Sequence, residues 1–313
     1  MALSPQTFNP DNVMLRESLG QNVNSAMLTE QFMELLLPQS ALMRLGPPVD
    51  MTGQYYNSAH GINSELSDAY FVGEGHKIQT AKITTTEWSM STVKIGVILP
   101  VTDEFLAYTW SDYFSAIVPM VADKFYKRID GAAFLGLSGN PFGSNVLAAA
   151  TAAGNVFDGD ITVENLYELQ DALPYDGTAY VSNRNSERSL RGLVDPISQV
   201  PIFERPDRAT RLGSLDSFPY VLLDIGNDNG EFTDGTVLFG DFSKIRYGLP
   251  RGSQLRMKLD DSATLSTITN ADGSDVNLFE QEMHAMRFTF DIAVAIPEMH
   301  QDHFAVLQAE VAP

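Results

Sequence analysis

The run from Val101 to Leu135 limits the folds open to this chain more than any other stretch. Thr102 is a good N-cap residue, and Asp103 and Glu104 put negative charge in the first turn. Lys124, Lys127 and Arg128 gather toward the far end, as the helix dipole favours. Leu106, Trp110, Tyr113, Phe114, Ile117, Val121, Phe125 and Ile129 recur at steps of three and four. The spacing predicts one helix with a broad apolar stripe that needs a sheet or a second helix laid along it. At about 1.5 Å per residue the rod is roughly 50 Å long, more than a compact domain of ordinary size requires. Pro119 falls inside it and should bend it, at a cost of about 3 kcal/mol unless neighbours hold the bend.

The segment before the helix is as demanding. From Thr80 to Leu99 the chain is rich in Ile, Val, Thr and Trp with no breaker except Gly96, which predicts one very extended strand. About 20 residues at about 3.3 Å each span some 65 Å, against about 20 Å for an ordinary strand. Between Lys82 and Val93 neither alternate face is continuously apolar: Trp88 and Met90 share theirs with Lys82, Thr84, Thr86 and Thr92. With a return limb through Tyr70-Phe71-Val72, such a ribbon buries little within its own subunit and should lie on a neighbour.

Composition narrows the function. The chain has 313 residues, enough for about two domains, and 40 acidic against 20 basic residues give a formal charge of −20. Twice as many acids as bases argue against a surface that grips nucleic-acid phosphates. The absence of cysteine excludes disulfides, thiolate metal sites and a cysteine nucleophile. No apolar run approaches the length of a membrane span, and Met1 to Asp11 lacks the basic start and apolar core of a secretory signal.

Along the chain, residues 1–24 are polar and turn-rich and read as an arm, followed by a short amphipathic helix from Ser25 to Leu37 that Pro38 stops. After the breaker cluster Gly136–Gly143 the texture turns to mixed α/β. A helix capped by Asp160 or Thr162 runs to Leu173, a strand covers Ala179–Val181, and a helix covers Asn185–Val194. The stretch from Asp195 to Phe218 reads as a loop carrying Arg205, Arg208 and Arg211. A solvated loop making salt bridges is its first reading and a docking patch its second. Strands follow at Tyr220–Asp224, Thr236–Phe239, Ile245–Tyr247 and Gln254–Leu259, with a turn at Asn227–Gly230 and a hairpin tipped by Asp272-Gly273. Ala285 to Ile296 alternates cleanly, and Phe304–Leu307 gives a last strand.

No catalytic pattern survives inspection. Gly136-Leu-Ser-Gly139 has the wrong spacing for a nucleophile elbow, and Gly73-Glu-Gly75 lacks the third glycine of a dinucleotide loop. His300 and His303 form a lone pair three apart, and Asp224, Asp228, Glu231 and Asp234 miss the EF-hand spacing. The chain is expected to be no enzyme and to need no cofactor or metal. An acidic calcium-binding or hydrolytic protein is the alternative from another class.

Six stretches in order carry a resemblance: Phe8–Met14, Val72–Gly75 with Lys77, Lys94–Leu106, Asn140–Gly143, Gly240–Gly248 and Asn277–Met283. The chain resembles the major capsid proteins of tailed bacteriophages with the Hong Kong 97-type fold, most of all those of phages infecting Gram-positive bacteria. The resemblance implies an α+β fold with an N-terminal arm (1–24), a short helix and connection (25–48) and an extended hairpin loop (49–99) overlying a neighbouring subunit. It further implies a peripheral domain on a long spine helix (100–137 with 253–297) and a mixed α/β axial domain (138–252 with 298–313). The expected partners are further copies of the chain as pentamers and hexamers, a scaffolding protein, a portal protein and packaged double-stranded DNA as non-specific contents, with no membrane. A long N-terminal scaffolding segment, present in some relatives, has no room here, so a separate scaffold or its prior removal is implied. The expected location is the virion shell, assembled in the host bacterial cytoplasm. Phe71, Glu74, Lys77, Lys82, Trp88, Arg205, Arg208 and Arg211 are the candidate subunit-interface residues. An encapsulin-like compartment shell is the alternative within this fold.

Overall fold

The computed structural model describes residues 39–51, 54, 56–62, 71–78, 85–196, 199–206, 212–225, 236–250, 255–269 and 275–308. The expected arm, the helix at Ser25–Leu37, the turn at Asn227–Gly230 and the Asp272-Gly273 tip lie outside them.

The described chain opens with α1 (Ala41–Leu45), whose start is fixed by a residue far along the sequence. Asp130 is 2% exposed, and its carboxylate accepts from the Ser40 hydroxyl at 2.7 Å and from the Ala41 and Leu42 amides at 2.8 and 3.2 Å. The free amides of a helix N-terminus offset the cost of burying that charge. β1 (Pro48–Asp50), β2 (Tyr56–Ile62) and β3 (Thr85–Thr102) follow, and β3 leads directly into α2 (Asp103–Leu135). α2 matches the expected helix to within two residues and continues through Pro119. Beyond the proline its burial is broader than one stripe: Val121, Ala122, Phe125, Tyr126, Ile129, Ala132, Ala133 and Phe134 are all buried.

The return limb of the ribbon differs from expectation. The strand paired with β3 is β2, in antiparallel register from Tyr56↔Ser91 to Ile62↔Thr85, while Tyr70 is undescribed and Phe71 and Val72 are in no strand. Asn57, Ser58, His60 and Gly61 give β2 no apolar alternation, so backbone pairing carries it rather than a hydrophobic face.

The next helix, α3 (Val146–Ala153), has clear local causes. Asn145 caps it by accepting from the Ala148 amide at 2.7 Å, alanine fills its turns, and Gly154 ends it at φ 78°. β4 (Val156–Asp158), α4 (Val163–Asp171), β5 (Ala179–Asn183) and α5 (Ser186–Leu190) come next. Of the two expected caps for α4, Thr162 serves, accepting from the Asn165 amide at 3.2 Å. The expected loop from Asp195 to Phe218 instead contains β6 (Phe203–Glu204) and β7 (Leu212–Leu215), which pair with each other ahead of β8 (Phe218–Leu223). Strands this short, one holding Gly213 and Ser214, show no period in sequence. β9 (Val237–Gly240), β10 (Arg246–Leu249), β11 (Arg256–Asp260), β12 (Thr264–Thr269), β13 (Asp275–Asn277), β14 (Met283–Ala295) and β15 (Phe304–Gln308) complete the order.

These elements form two compact units, with β3, α2 and β14 contributing residues to both. The smaller comprises, among the described residues, Gly96–Pro119, 255–269 and 275–290. In it β11 pairs antiparallel with the first half of β14, and the β12–β13 hairpin closes a small cluster of Leu265, Val276, Leu278 and Ala285.

The larger unit holds a seven-stranded mixed sheet in the order β4-β15-β9-β5-β8-β7-β6. Leu166 and Leu169 of α4 and Leu190 of α5 pack on it with Tyr180, Tyr220, Phe239, Ala305 and Leu307. The Tyr180 and Phe239 rings lie 4.4 Å apart, and the Tyr220 and Ser182 hydroxyls are 2.7 Å apart. Burial pushes both phenols well above their ordinary pKa, so they stay neutral hydrogen-bonding groups. The same unit contains β1 paired parallel with β10, and β10 paired antiparallel with the end of β14.

Candidate assembly surfaces

The ribbon is anchored at one end. Met51, Met90, Ala293 and Ala295 form a buried cluster against which Trp88 and Val49 pack. A Cβ on Gly248 would run into the Met51 sulfur, so any larger residue here would displace the Met51 and Met90 side chains from the cluster. The Trp88–Met90 face that reads as poorly apolar in sequence is therefore tied to its own chain, and Trp88 is half-buried rather than open. The sequence signal was present in the paired alanines of β14, whose small side chains leave room for methionine and tryptophan.

Residues 71–78 have a different character. Gly73, Glu74, Gly75 and His76 make a tight turn in which the His76 amide donates to the Gly73 carbonyl at 3.1 Å. Gly75 sits at φ 81°, the left-handed value that a type II turn demands of its third residue. Phe71 is fully exposed, Ile78 is 81% exposed, and Glu74 and Lys77 are also exposed. A short segment thus carries two large apolar side chains and two opposite charges in the open.

Of the three arginines, Arg205 is described. Its Nε lies 3.3 Å from Oε1 of Glu187, which is buried and also pairs with Arg191. Glu187 stands four residues before Arg191, a spacing that puts both side chains on one helical side and is visible in the sequence. Lys82, Arg208 and Arg211 lie outside the described residues. The structure gathers Phe71, Glu74 and Lys77 on one loop, puts Trp88 on the ribbon's anchor, and commits Arg205 to an ion pair within the chain.

The groups weighed for chemistry are also placed. Asp224 Oδ2 accepts from the Tyr126 hydroxyl at 3.4 Å and lies 3.8 Å from Lys127, while Asp228, Glu231 and Asp234 are undescribed. His300 and His303 meet edge to face at 4.9 Å, with His303 hydrogen-bonded to Asp302 at 2.9 Å and stacked on Tyr175 at 4.2 Å. Among the described residues no three histidine or carboxylate side chains converge on a point that could hold a metal.

Comparison with known proteins gives this geometry a context. The model of the Phage capsid family matches residues 20–308. The major capsid protein of Staphylococcus phage 80alpha is 37% identical over 299 residues, which span 95% of this chain and 88% of that protein. Among solved structures, a chain of Microbacterium phage Oxtober96 aligns with a TM-score of 0.65 at 22% identity over 87% of this chain and 91% of that one. The capsid of an empty GTA particle aligns at 0.63 and 12% identity over 99% and 96%. At such identities these two structures speak to the fold, and they agree on it.

Proposed function

The chain belongs to the phage capsid family, and from that premise we propose how its copies join. It is a major capsid protein, a structural component of a phage head shell with the Hong Kong 97-type fold. In our reading, residues 1–24 are an arm, 25–48 its connection, and 49–99 a hairpin that overlies the next subunit. Residues 100–137 with 253–297 form a peripheral domain, and 138–252 with 298–313 an axial domain at the centres of pentamers and hexamers.

The observation that carries this reading is the loop at 71–78. Phe71 and Ile78 stand exposed beside Glu74 and Lys77 on a turn whose backbone is set by Gly75. Exposed aromatic and aliphatic side chains held on a defined turn are costly in water unless a partner covers them. In a lattice every copy supplies such a loop and receives one, so contacts of about 1,600 Å² each add cooperatively. Phe71, Glu74, Lys77 and Lys82 are assigned to that contact. Trp88 supports it from the anchor, and Arg205, Arg208 and Arg211 border a second contact.

The shell encloses double-stranded DNA as non-specific contents. A protein of charge −20 presents phosphates with repulsion, which lets packed DNA slide without sticking. A scaffolding protein guides closure, a portal protein occupies one vertex, and assembly takes place in the host bacterial cytoplasm.

Deletion of residues 55–87 tests the reading. It leaves Trp88, Met90 and the Met51 cluster in place. The expected product is a subunit with native circular dichroism and a cooperative melt that forms no shells by electron microscopy. Closed shells from the deleted chain, or loss of the whole fold, would overturn the hairpin's role.

A further inference from the structure

Both short helices on the seven-stranded sheet are held by apolar side chains below and carry charge above. On α4, Leu166 and Leu169 are buried, while Glu164, Tyr167, Glu168 and Asp171 are exposed at steps of three and four. Tyr167 therefore stands as an accessible aromatic ring in a row of carboxylates. Asp216 adds a further carboxylate at the helix flank, where it accepts from Gln170 Nε2 at 2.9 Å. From Ile129 to Asn183 the sequence has no lysine or arginine. Glu164, Glu168 and Asp171 make no ion pair among the described residues.

At α5 the sign reverses. Arg184 and Arg188 are exposed, four residues apart, and likewise make no ion pair among the described residues. Their positions are firm, because Asn183 Oδ1 accepts from the Ser186 amide and hydroxyl at 2.9 and 2.8 Å and Leu190 is fully buried. The one acidic residue of that helix, Glu187, is turned inward and already shared by Arg191 and Arg205. One compact unit thus displays a helix face of carboxylates around a tyrosine and an edge of two guanidinium groups without an ion pair among the described residues.

We propose that the exposed face of α4 in one subunit docks against the Arg184–Arg188 edge of a second copy of this chain. The inference rests on the shell reading above and deepens it by naming a further contact, independent of the loop at 71–78. Charge complementarity selects the occupant: either surface set against its own copy puts like charges opposite each other, whereas α4 against the Arg184–Arg188 edge pairs carboxylates with guanidinium groups. Tyr167 gives the arginines an aromatic face as well as counter-charges.

The test is a charge exchange in the full-length chain, with shells counted by electron microscopy under conditions where the natural chain closes them. Glu164→Lys with Glu168→Lys, and separately Arg184→Glu with Arg188→Glu, should each leave a folded subunit and reduce shell yield at least tenfold. All four substitutions together keep the net charge of the natural chain and should restore most of the yield. Two-residue variants that assemble like the natural chain, or a folded four-residue variant that stays unassembled, would overturn the contact. If a reversed variant does not fold, the neutral pairs Glu164→Gln with Glu168→Gln and Arg184→Gln with Arg188→Gln decide: each should lower the shell yield several-fold at fixed salt, and yields equal to that of the natural chain from both would overturn the contact. A natural chain that never closes shells would instead sink the shell reading itself.

Discussion

The seven-stranded sheet and the loop at 71–78 belong to one compact unit and obey opposite rules. In the sheet Tyr180, Tyr220 and Phe239 are almost wholly buried, and the two tyrosine hydroxyls find partners in Gln170 and Ser182. In the loop Phe71 and Ile78 are open to water, and the turn is closed by a single backbone hydrogen bond from His76 to Gly73. The sheet is finished within one chain. The loop is left open within one chain, and in the reading proposed above another copy covers it. The contrast teaches that subunit stability and shell stability reside in different residues, so they should respond to different mutations.

Phe239→Ala attacks the finished half and has the largest expected effect. Its ring packs on Tyr180 at 4.4 Å and on Phe218 at 5.2 Å, and β9 lies between β15 and β5 in the sheet. Truncating a core phenylalanine costs about 3–5 kcal/mol through lost burial and the cavity left behind. The variant's melting temperature should fall steeply, and assembly should fail because the subunit does. A variant that melts like the natural chain would show that the sheet is not the stability core.

The second test uses acid. Burial first, then His303, Lys244 and Arg246, lower the pKa of His300 to about 4, with Asp302 opposing, and its Nδ1 is buried without a hydrogen-bond partner. A histidine whose folded pKa lies below its unfolded value of about 6.5 favours the folded state while neutral. That contribution is complete above about pH 6.5 and is lost as pH falls toward 4. Allowing for solvent screening, it amounts to about 1–2 kcal/mol. His300→Gln should therefore flatten the decline in subunit stability between pH 6.5 and 4 relative to the natural chain. Equal slopes in urea titrations of the two proteins would refute this.

Much of this division was legible in sequence, and the failures have physical causes. α2 declared itself through eight apolar residues at helical spacing, and β14 through clean alternation, because a long periodic run is visible in sequence even where, as from Phe290 to Ala295, both faces are buried. β2, β6 and β7 did not: β2 is mostly polar, and β6 and β7 are too short to show a period although Phe203 and Leu215 pack on the sheet core. The anchor of the ribbon was missed for a related reason: Met51, Met90, Ala293 and Ala295 come from three distant segments, none of which looks like a core by itself. The same limit hid Asp130, a polar position on a helix until α1 is folded against it. The assembly candidates were visible as a class, exposed apolar and charged residues outside any period. Which of them already had partners was not, as Arg205 shows by its ion pair to Glu187.

Phe71→Ser has the smallest expected effect on the subunit and the most instructive one on the shell. The side chain is fully exposed and lies in no strand or helix, so its loss should change the melting temperature of the unassembled protein by less than about 0.5 kcal/mol equivalent. In an assembled lattice the same ring, once covered, is worth about 1.5–3 kcal/mol per copy. A closed shell repeats that contact in every subunit, so even a partial loss should raise the concentration needed for assembly or weaken shells against denaturant. Light scattering on the natural and variant proteins reads the first, and capsid survival in a urea series reads the second. Should Phe71→Ser lower the subunit's melting temperature as far as Phe239→Ala, the loop is part of the subunit core and the two regions are not different in kind. Should it change neither subunit nor shell, the apolar tip faces solvent in the lattice, and the contact must be carried by the rest of the ribbon.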